Sequence, residues 1–186
     1  MRELVFFLEE PSAKAMLEAL LPKIAPSEII VRYLIFEGKQ DLEKQLQRKL
    51  RCYQNPEATF IILRDQDSAD CLAVKTKFKQ QCVAAKKPHA IVRIACREIE
   101  SWYLADLAAV EKAFAYKKLV TQQNDRKFRD PDRLGSPSKE LKLLVPEYQK
   151  IDGSRRIAPY LDIDNPRSRS FHHLMRTIKC SIQSSQ

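Results

Sequence analysis

Short apolar runs alternate with amphipathic segments of helical length over the first hundred residues, and this alternation restricts the fold more than any other feature of the sequence. The four apolar runs, which we interpret as strands, are 4–8, 29–36, 59–63 and 89–95. Strands separated by helices of this length pair in parallel, and helices then cover both faces of the sheet. The run 59–63 is apolar throughout, which predicts a central strand.

Apolar residues at helical spacing predict the helices between these strands. Ser12 is the predicted N-cap of the first helix, the second is predicted over 41–53, and the third over 69–86. The predicted buried face of the third helix consists of Leu72, Phe78 and Val83.

The pattern changes after the fourth strand. One helix is predicted over 97–115, a polar and basic loop over 117–140, and short helices at about 138–145, 154–162 and 169–182. We therefore expect an α/β fold, with a mainly parallel four-stranded sheet flanked by helices and a helical C-terminal cap. Residues 1–110 would form the α/β core, and residues 111–186 the basic loop and the cap, packed on the core as part of a single folding unit.

The composition excludes several classes of protein. With three glycines in 186 residues, the chain has neither a Gly-x-Gly-x-x-Gly dinucleotide loop nor a Walker phosphate loop. Its five cysteines include no Cys-x-x-Cys pair, which disfavours a zinc ribbon or a disulfide framework. The apolar runs are too short to span a bilayer, and the charged N-terminus does not resemble a signal peptide. We therefore expect a soluble, cytoplasmic protein without a membrane partner.

The chain is basic, with a net charge of +9 and an isoelectric point of about 9.4. Such a charge favours acidic partners, with nucleic acid first; the alternative is a charged surface that is merely solvated. Lys150, Arg155 and Arg156 are the candidates for steadying phosphate groups at the rim of a cleft. Because no aromatic residues are interleaved with the basic ones, binding to nucleic acid should be largely independent of sequence.

Carboxylates follow the first and third predicted strands, which is where parallel sheets carry their chemistry. Glu9 and Glu10 follow the first strand, and Asp65 and Asp67 follow the third. Asp65 and Asp67 share a face if the chain is extended there. If the two strands are neighbours, Glu9, Asp65 and Asp67 converge at one edge of the sheet.

Three converging carboxylates repel one another unless a divalent cation joins them. Oxygen ligands favour Mg²⁺ or Mn²⁺, and such an ion can stabilise the attacking and leaving oxygens in phosphodiester cleavage. The alternative is that Asp67 or Ser68 only caps the helix that follows.

Three stretches carry a resemblance to a known family: FLEEPSA at 7–13, ILRDQD at 62–67 and REIESWYLAD at 97–106. A Glu after strand one and Asp-x-Asp after strand three is similar to the pattern of the Toprim domain of topoisomerases, primases and overcoming-lysogenization-defect nucleases. The chain resembles more closely the small Toprim-like bacterial proteins grouped as domain of unknown function 4276. Further matching stretches are 130–134, 136–139, 148–150 and 156–158.

This resemblance implies a Toprim-like fold and metal-dependent phosphoryl chemistry. Members of the group are often encoded near ATPases and have been linked to defence against phage, so the resemblance also implies a partner ATPase. Many Toprim domains have Gly where this chain has Glu10, and a second acid is common where it has Lys14. Either Glu9 or Glu10 could therefore serve the metal, and Glu9 is favoured because it directly follows the strand.

Glu100 belongs to the Glu-Ser-Trp element of the resemblance and is the candidate for a further metal ligand or for a group that supports one. On a helix, Glu98 and Glu100 project about 200° apart, so both cannot face the site. The alternative is that one of these two carboxylates pairs with Arg93 or Arg97 at the surface.

These observations lead to one functional hypothesis. The protein is expected to be a metal-dependent phosphodiester hydrolase, a Toprim-like nuclease that acts with a partner ATPase in a phage-defence system. Glu9, Asp65 and Asp67 would hold Mg²⁺ or Mn²⁺. Glu100 would complete the catalytic set, with water as the attacker. The alternatives are a non-catalytic or regulatory subunit of an ATPase complex and a small phosphatase-like hydrolase, and both DNA and RNA stay open as substrates.

Overall fold

The computed structural model describes residues 2–183 and contains a four-stranded sheet. Its strands are β1 (Glu3–Leu8), β2 (Ile30–Ile35), β3 (Ala58–Asp65) and β4 (Ile91–Ala95). They lie in the order β2-β1-β3-β4, and the three pairings are all parallel. The α/β fold expected from the sequence is confirmed, and so is the central position of the third strand.

Helices cover both faces of this sheet. They are α1 (Pro11–Leu20), α2 (Lys39–Cys52), α3 (Cys71–Ala84), α4 (Glu100–Leu104), α5 (Leu107–Phe114), α6 (Pro137–Leu144), α7 (Lys150–Ile157) and α8 (Arg169–Gln183). Short 3-10 turns lie at Leu21–Lys23, Val120–Gln122, Pro131–Arg133 and Ala158–Tyr160. Within residues 2–183, no helix combines the length and the apolar character that crossing a membrane requires.

The side chains of β1 alternate between the two faces of the sheet and thereby fill two cores. Phe6 and Leu8 belong to the larger core, which α1 and the helices α4 to α8 complete. Val5 and Phe7 belong to the smaller core, which α2 and α3 complete. The helices of the C-terminal third thus share one core with the sheet, and α7 packs against α1 beside the carboxyl ends of the strands.

The single helix predicted over 97–115 is wrong, because the chain forms two helices there. The helices α4 and α5 are separated at Ala105 and Asp106. The Asp106 carboxylate accepts a hydrogen bond of 3.1 Å from the backbone N–H of Ala109 and so caps α5. Aspartate is among the strongest N-caps, and it begins a new helix here without a glycine or proline to break the first.

The predicted N-cap of the first helix is also wrong. Glu10 occupies the cap position and Pro11 begins α1, since the fixed φ of proline suits the first position of a helix. Ser12 lies in the first turn, where its hydroxyl donates a hydrogen bond of 3.1 Å to the Glu10 carboxylate.

The buried face of α3 differs from the one predicted. Leu72 is 74% exposed and Val83 is 62% exposed, whereas Phe78 and Cys82 are buried against the sheet. Residues four apart lie on one face of a helix, and Val83 is about 140° from Phe78 around the helix axis. The apolar residues of this segment therefore do not mark a single face, and Phe78 alone was placed correctly.

Candidate active site

The carboxyl ends of β1 and β3 bring Glu9 and Asp65 together. The two strands pair in parallel with Leu8 opposite Leu63, so the residues that follow reach the same edge of the sheet. The backbone N–H of Asp65 donates a hydrogen bond of 3.2 Å to Oε2 of Glu9. Glu9 is 8% exposed and Asp65 is 7% exposed, so both carboxyl groups are largely desolvated.

Glu100, the first residue of α4, adds a third buried carboxylate. Its exposed fraction is 0%. Oε1 accepts a hydrogen bond of 3.0 Å from the hydroxyl of Tyr148, whereas Oε2 has no hydrogen-bond partner among the described residues. A buried polar atom without a partner costs free energy, which makes Oε2 a ready acceptor for a cation or a donor.

Burial and mutual repulsion raise the pKa values of these carboxyl groups. Burial raises the pKa of Glu9 to about 7, and this outweighs the opposing effect of the nearby Arg64 guanidinium. The pKa of Asp65 is raised well above its usual value by burial, then by Glu100, Glu9 and Glu10. Burial also raises the pKa of Glu100. The site therefore holds negative charge only at a cost when no cation is bound.

Lys150, at the start of α7, is a cation that faces this group from the solvent side. Its Nζ lies 3.2 Å and 3.4 Å from the two carboxylate oxygens of Glu10. Burial would lower the pKa of Lys150, but the carboxylates of Glu100, Glu10 and Asp65 raise it above its usual value. We call Glu9, Glu10, Asp65 and Glu100 the acidic cluster, and Lys150 lies at its rim.

The chain is not extended at Asp67, so the condition under which Asp67 would share a face with Asp65 is not met. The strand ends at Asp65, and Asp67 has a φ of 55°, in the left-handed region. Its carboxylate forms a salt bridge of 2.9 Å with Nζ of Lys39, and its carbonyl oxygen accepts a hydrogen bond of 3.2 Å from Nη1 of Arg97. Since Asp67 still contributes to raising the pKa of Glu9, it lies near the acidic cluster but outside it.

Arg64 lies buried behind Glu9 and connects it to the outer surface. Its Nε is 3.8 Å from Oε2 of Glu9, and its Nη2 is 3.7 Å from Oε1 of Glu43 on α2. Lys77 on α3 in turn contacts Oε2 of Glu43 at 2.8 Å. Four charges of alternating sign thus run from the surface of α3 to the acidic cluster.

The remaining predicted residues have other contacts. Glu98 accepts a hydrogen bond of 2.7 Å from the backbone N–H of Ser138, rather than pairing with an arginine. The Arg156 guanidinium lies 4.0 Å from the centre of the Phe114 ring and faces α5, and Arg155 is exposed on α7. Of the three predicted phosphate-binding residues, Lys150 reaches the acidic cluster.

Sequence reasoning gave no role to Arg64 or to Tyr148. A signal for Arg64 was available, because a cation inside an apolar strand needs a buried partner. The contact between Tyr148 and Glu100 joins residues 48 apart in the chain, and no local pattern indicates it.

The residues present suit a hard divalent cation by their donor chemistry, although they are not arranged around one. Within residues 2–183, no group of three or more His, Cys, Asp or Glu side chains is placed so that it could hold a metal ion. The ligand set of Glu9, Asp65 and Asp67 therefore stays a prediction. Buried carboxylate oxygens at the edge of a sheet, including the unpartnered Oε2 of Glu100, are the donors that Mg²⁺ and Mn²⁺ prefer.

Gly153→Ala tests how the structure supports Glu100. A Cβ atom at position 153 would lie 2.2 Å from Cε2 of the Tyr148 ring, so the ring that holds Glu100 would have to move. Overpacking of this kind costs about 1–3 kcal/mol, against a gain of about 1 kcal/mol from Ala in a helix. We expect the free energy of unfolding, measured with urea, to fall by up to about 2 kcal/mol.

Tyr148→Phe is the control for this variant, because it keeps the ring and removes the hydroxyl that donates to Glu100. We expect it to cost about 1–3 kcal/mol, because it leaves a buried carboxyl oxygen of Glu100 without its donor. A Gly153→Ala protein that is more stable than the wild type would contradict the close packing of residues 148 and 153.

The fold and the site together define a class: an α/β protein whose parallel sheet carries a buried cluster of carboxylates at its carboxyl edge. The model of one family, described as domain of unknown function (DUF4276), matches residues 8–179. The chain belongs to this family, as its sequence stretches indicated. No curated protein and no solved structure matches the chain.

Proposed function

We propose that this protein is a metal-dependent phosphodiester hydrolase and that the acidic cluster is its active site. The observation that carries the proposal is that three buried carboxylates lie near one another at the carboxyl edge of a parallel sheet, since Glu100 and Glu9 both raise the pKa of Asp65. This edge is where open α/β sheets bind ligands and carry out chemistry. Burying neighbouring carboxylates destabilises the folded protein. A purely structural role would not explain why three of them are buried together.

Glu9, Asp65 and Glu100 would hold Mg²⁺ or Mn²⁺ once their side chains turned toward a shared ion, around which they are not arranged here. Asp67, whose charge acts on Glu9, is the further candidate ligand. When bound, the ion would polarise a phosphoryl oxygen and make a bound water more acidic. The chain itself orients the ligands. Tyr148 fixes one oxygen of Glu100, and the backbone of Asp65 fixes one oxygen of Glu9.

Lys150 would bind the substrate. Its ammonium group lies at the rim of the acidic cluster and is half-exposed, so it can turn from Glu10 toward a phosphate oxygen without a large change of the fold. The raised pKa of Lys150 keeps it charged throughout the physiological range. A charged donor at this point would offset the negative charge of the phosphodiester as it approaches the carboxylates.

The family relationship, the kind of substrate and the partner are proposed from the sequence resemblance and from the net charge of the chain. A relationship to the Toprim domain is supported by Glu9 after β1 and by the Asp-x-Asp stretch that begins with Asp65 at the end of β3. A nucleic-acid substrate is supported by the net charge of +9. A partner ATPase and a role in defence against phage are supported by the resemblance alone.

The test is a cleavage assay on single-stranded and double-stranded DNA and RNA, with Mg²⁺, Mn²⁺ or a chelator, with and without an ATPase encoded next to the protein. Cleavage that requires the ion would support the proposal. A parallel assay on a panel of mononucleotides separates a nuclease from a phosphatase-like hydrolase. If neither substrate is cleaved and millimolar Mn²⁺ does not raise the melting temperature, the acidic cluster is not a metal-dependent active site.

A further inference from the structure

A groove that shares no described residue with the acidic cluster follows the outer edge of β4. It consists of two adjoining cavities of about 610 Å³ and about 220 Å³, which share Arg93 and His173 in their walls. The helix α8 forms one wall, through residues that include Arg176 and Thr177. The start of α3 forms the other, through Cys71 and Lys75. We call this feature the edge groove.

The walls of the edge groove carry cations and no carboxylates. Its cationic and titratable basic side chains are Lys75, Arg93, Arg169, His173 and Arg176. Neither Asp nor Glu is among the described residues that line the two cavities. The nearest carboxylates have other contacts: Asp70 caps α3 through the N–H of Ala73, and Asp132 accepts hydrogen bonds from Ser168 and Ser170.

Arg93 is the central residue of this groove. It lies half-buried on β4, and burial lowers its pKa. Its Nε donates a hydrogen bond of 2.6 Å to the hydroxyl of Thr177, and among the described residues no carboxylate lies within salt-bridge distance of its guanidinium. Burial lowers the pKa of His173, and the charge of Arg93 lowers it further, as do those of His172, Lys75 and Arg176. Neighbouring cations without a counter-ion repel one another, and a bound anionic ligand would relieve this repulsion.

A row of cations can also serve simply to keep an edge strand from pairing with another chain. Lysines or arginines that point into solvent are enough for that purpose. Arg93 is instead half-buried, and it is hydrogen-bonded to Thr177 on α8. Protection of an edge strand does not require this burial, because a desolvated guanidinium without a carboxylate destabilises the folded protein. The planar fork of arginine matches the oxygens of a phosphate group, and three of the five basic side chains are arginines.

The edge groove ends close to the acidic cluster. Ala95, at the end of β4, pairs with Asp65 on the adjacent strand, and adjacent strands are about 4.8 Å apart. Cys96 and Arg169 line this end of the groove. Arg97 is the next residue after Cys96, and its guanidinium donates a hydrogen bond to the carbonyl oxygen of Asp67. The five residues of β4 extend over about 16 Å, which is the length of about five nucleotides of one strand.

We propose that the edge groove binds the sugar-phosphate backbone of a nucleic acid and guides it to the acidic cluster. The proposal deepens the proposed function, on which it rests for the nature of the substrate. Arg93, Arg169 and Arg176 contact successive phosphates, and Lys75 contributes from the opposite wall. The bases take no part in this contact, so binding is independent of sequence.

The test compares the triple variant Lys75→Ala, Arg169→Ala, Arg176→Ala with a matched control, Lys44→Ala, Arg48→Ala, Lys79→Ala. The control removes the same charge from exposed positions on α2 and α3 outside the groove. Binding of a fluorescent oligothymidylate and of a mixed-sequence duplex is measured by anisotropy at several salt concentrations, in a chelator so that nothing is cleaved. We expect the groove variant to lose at least about tenfold in affinity. We also expect the slope of log affinity against log salt to flatten by roughly two units, with the control close to wild type.

The outcomes separate this proposal from the proposed function. Equal losses in both triple variants, or no loss in the groove variant, would overturn the edge groove as a binding surface even if the wild type cleaves nucleic acid. Wild-type protein that binds no oligonucleotide, or that binds an acidic peptide in preference, would overturn it as well. Binding that depends on the groove in a protein without cleavage activity would support the edge groove and contradict the hydrolase. Because Arg169 and Arg176 are exposed, their removal should barely change the melting temperature. If the triple variant is unstable, Arg169→Gln with Arg176→Gln gives the same comparison.

Discussion

Asp65→Asn is expected to abolish metal-dependent phosphodiester cleavage and, in a chelator, to raise the melting temperature. Asparagine has the shape of aspartate but lacks the buried charge that burial and three neighbouring carboxylates disfavour. Groups that merely support metal ligands are worth 10–100-fold in activity, so losing a ligand should cost more than about a hundredfold. The two measurements are the rate of oligonucleotide cleavage with Mn²⁺ and thermal unfolding without metal.

Asp67→Asn is the matched control. Its carboxylate pairs with Lys39 at a half-exposed position, and a surface pair of this kind contributes at most about 1 kcal/mol. We therefore expect little change in melting temperature. Its cleavage rate also tests the ligand set expected from the sequence, since full activity would remove Asp67 from that set. Full activity of Asp65→Asn, by contrast, would exclude the acidic cluster as the active site.

Glu9 should make the metal-free protein less stable as the pH rises toward neutrality. Burial raises the pKa of Glu9 from 4.5 to about 7 in the folded protein, so folding favours the protonated form. The contribution is fully present below about pH 4.5 and is lost as the pH rises through about 7. A shift of this size corresponds to about 3 kcal/mol. The raised pKa values of Asp65 and Glu100 act in the same direction.

Glu9→Gln should remove the share of this dependence that Glu9 contributes, while Asp65 and Glu100 keep theirs. We expect the free energy of unfolding, measured by urea denaturation in a chelator, to fall less steeply between pH 4.5 and pH 7 than in the wild type. Glu18→Gln, at an exposed position on α1, should leave the wild-type slope unchanged. A flat profile in the wild type would mean that Glu9 is not desolvated as the structure has it. Mn²⁺ added at neutral pH should restore stability to the wild type, because a ligand that binds the folded state stabilises it.

The sheet was predictable because its signals are local. The apolar runs that form β1 and β3 are hydrophobic on both faces. Because the two strands are parallel neighbours, Glu9 and Asp65 lie at the same edge of the sheet for any conformation of the loops. The position of Asp67 was not predictable in this way. It depends on where β3 ends, and a single residue with positive φ turned that carboxylate toward Lys39.

The rest of the site depends on contacts between distant parts of the chain. Glu100 was a candidate from its sequence element, but its burial depends on α4 packing against the cap and on the hydroxyl of Tyr148. Lys150 was proposed for phosphate, and its approach to Glu10 joins residues 140 apart. Periodicity describes one element at a time, so it carries no information on which helix of the cap covers the strand ends.

The alternating charges from Lys77 through Glu43 and Arg64 to Glu9 connect the outer surface of α3 to the protonation of Glu9. Acetylation or replacement of Lys77 would free Glu43 to attract Arg64 more strongly and so draw positive charge away from Glu9. Because the Arg64 guanidinium lowers the pKa of Glu9, that pKa would then rise. A change on the outer surface of α3 can thus shift the protonation of Glu9 without altering any residue of the acidic cluster.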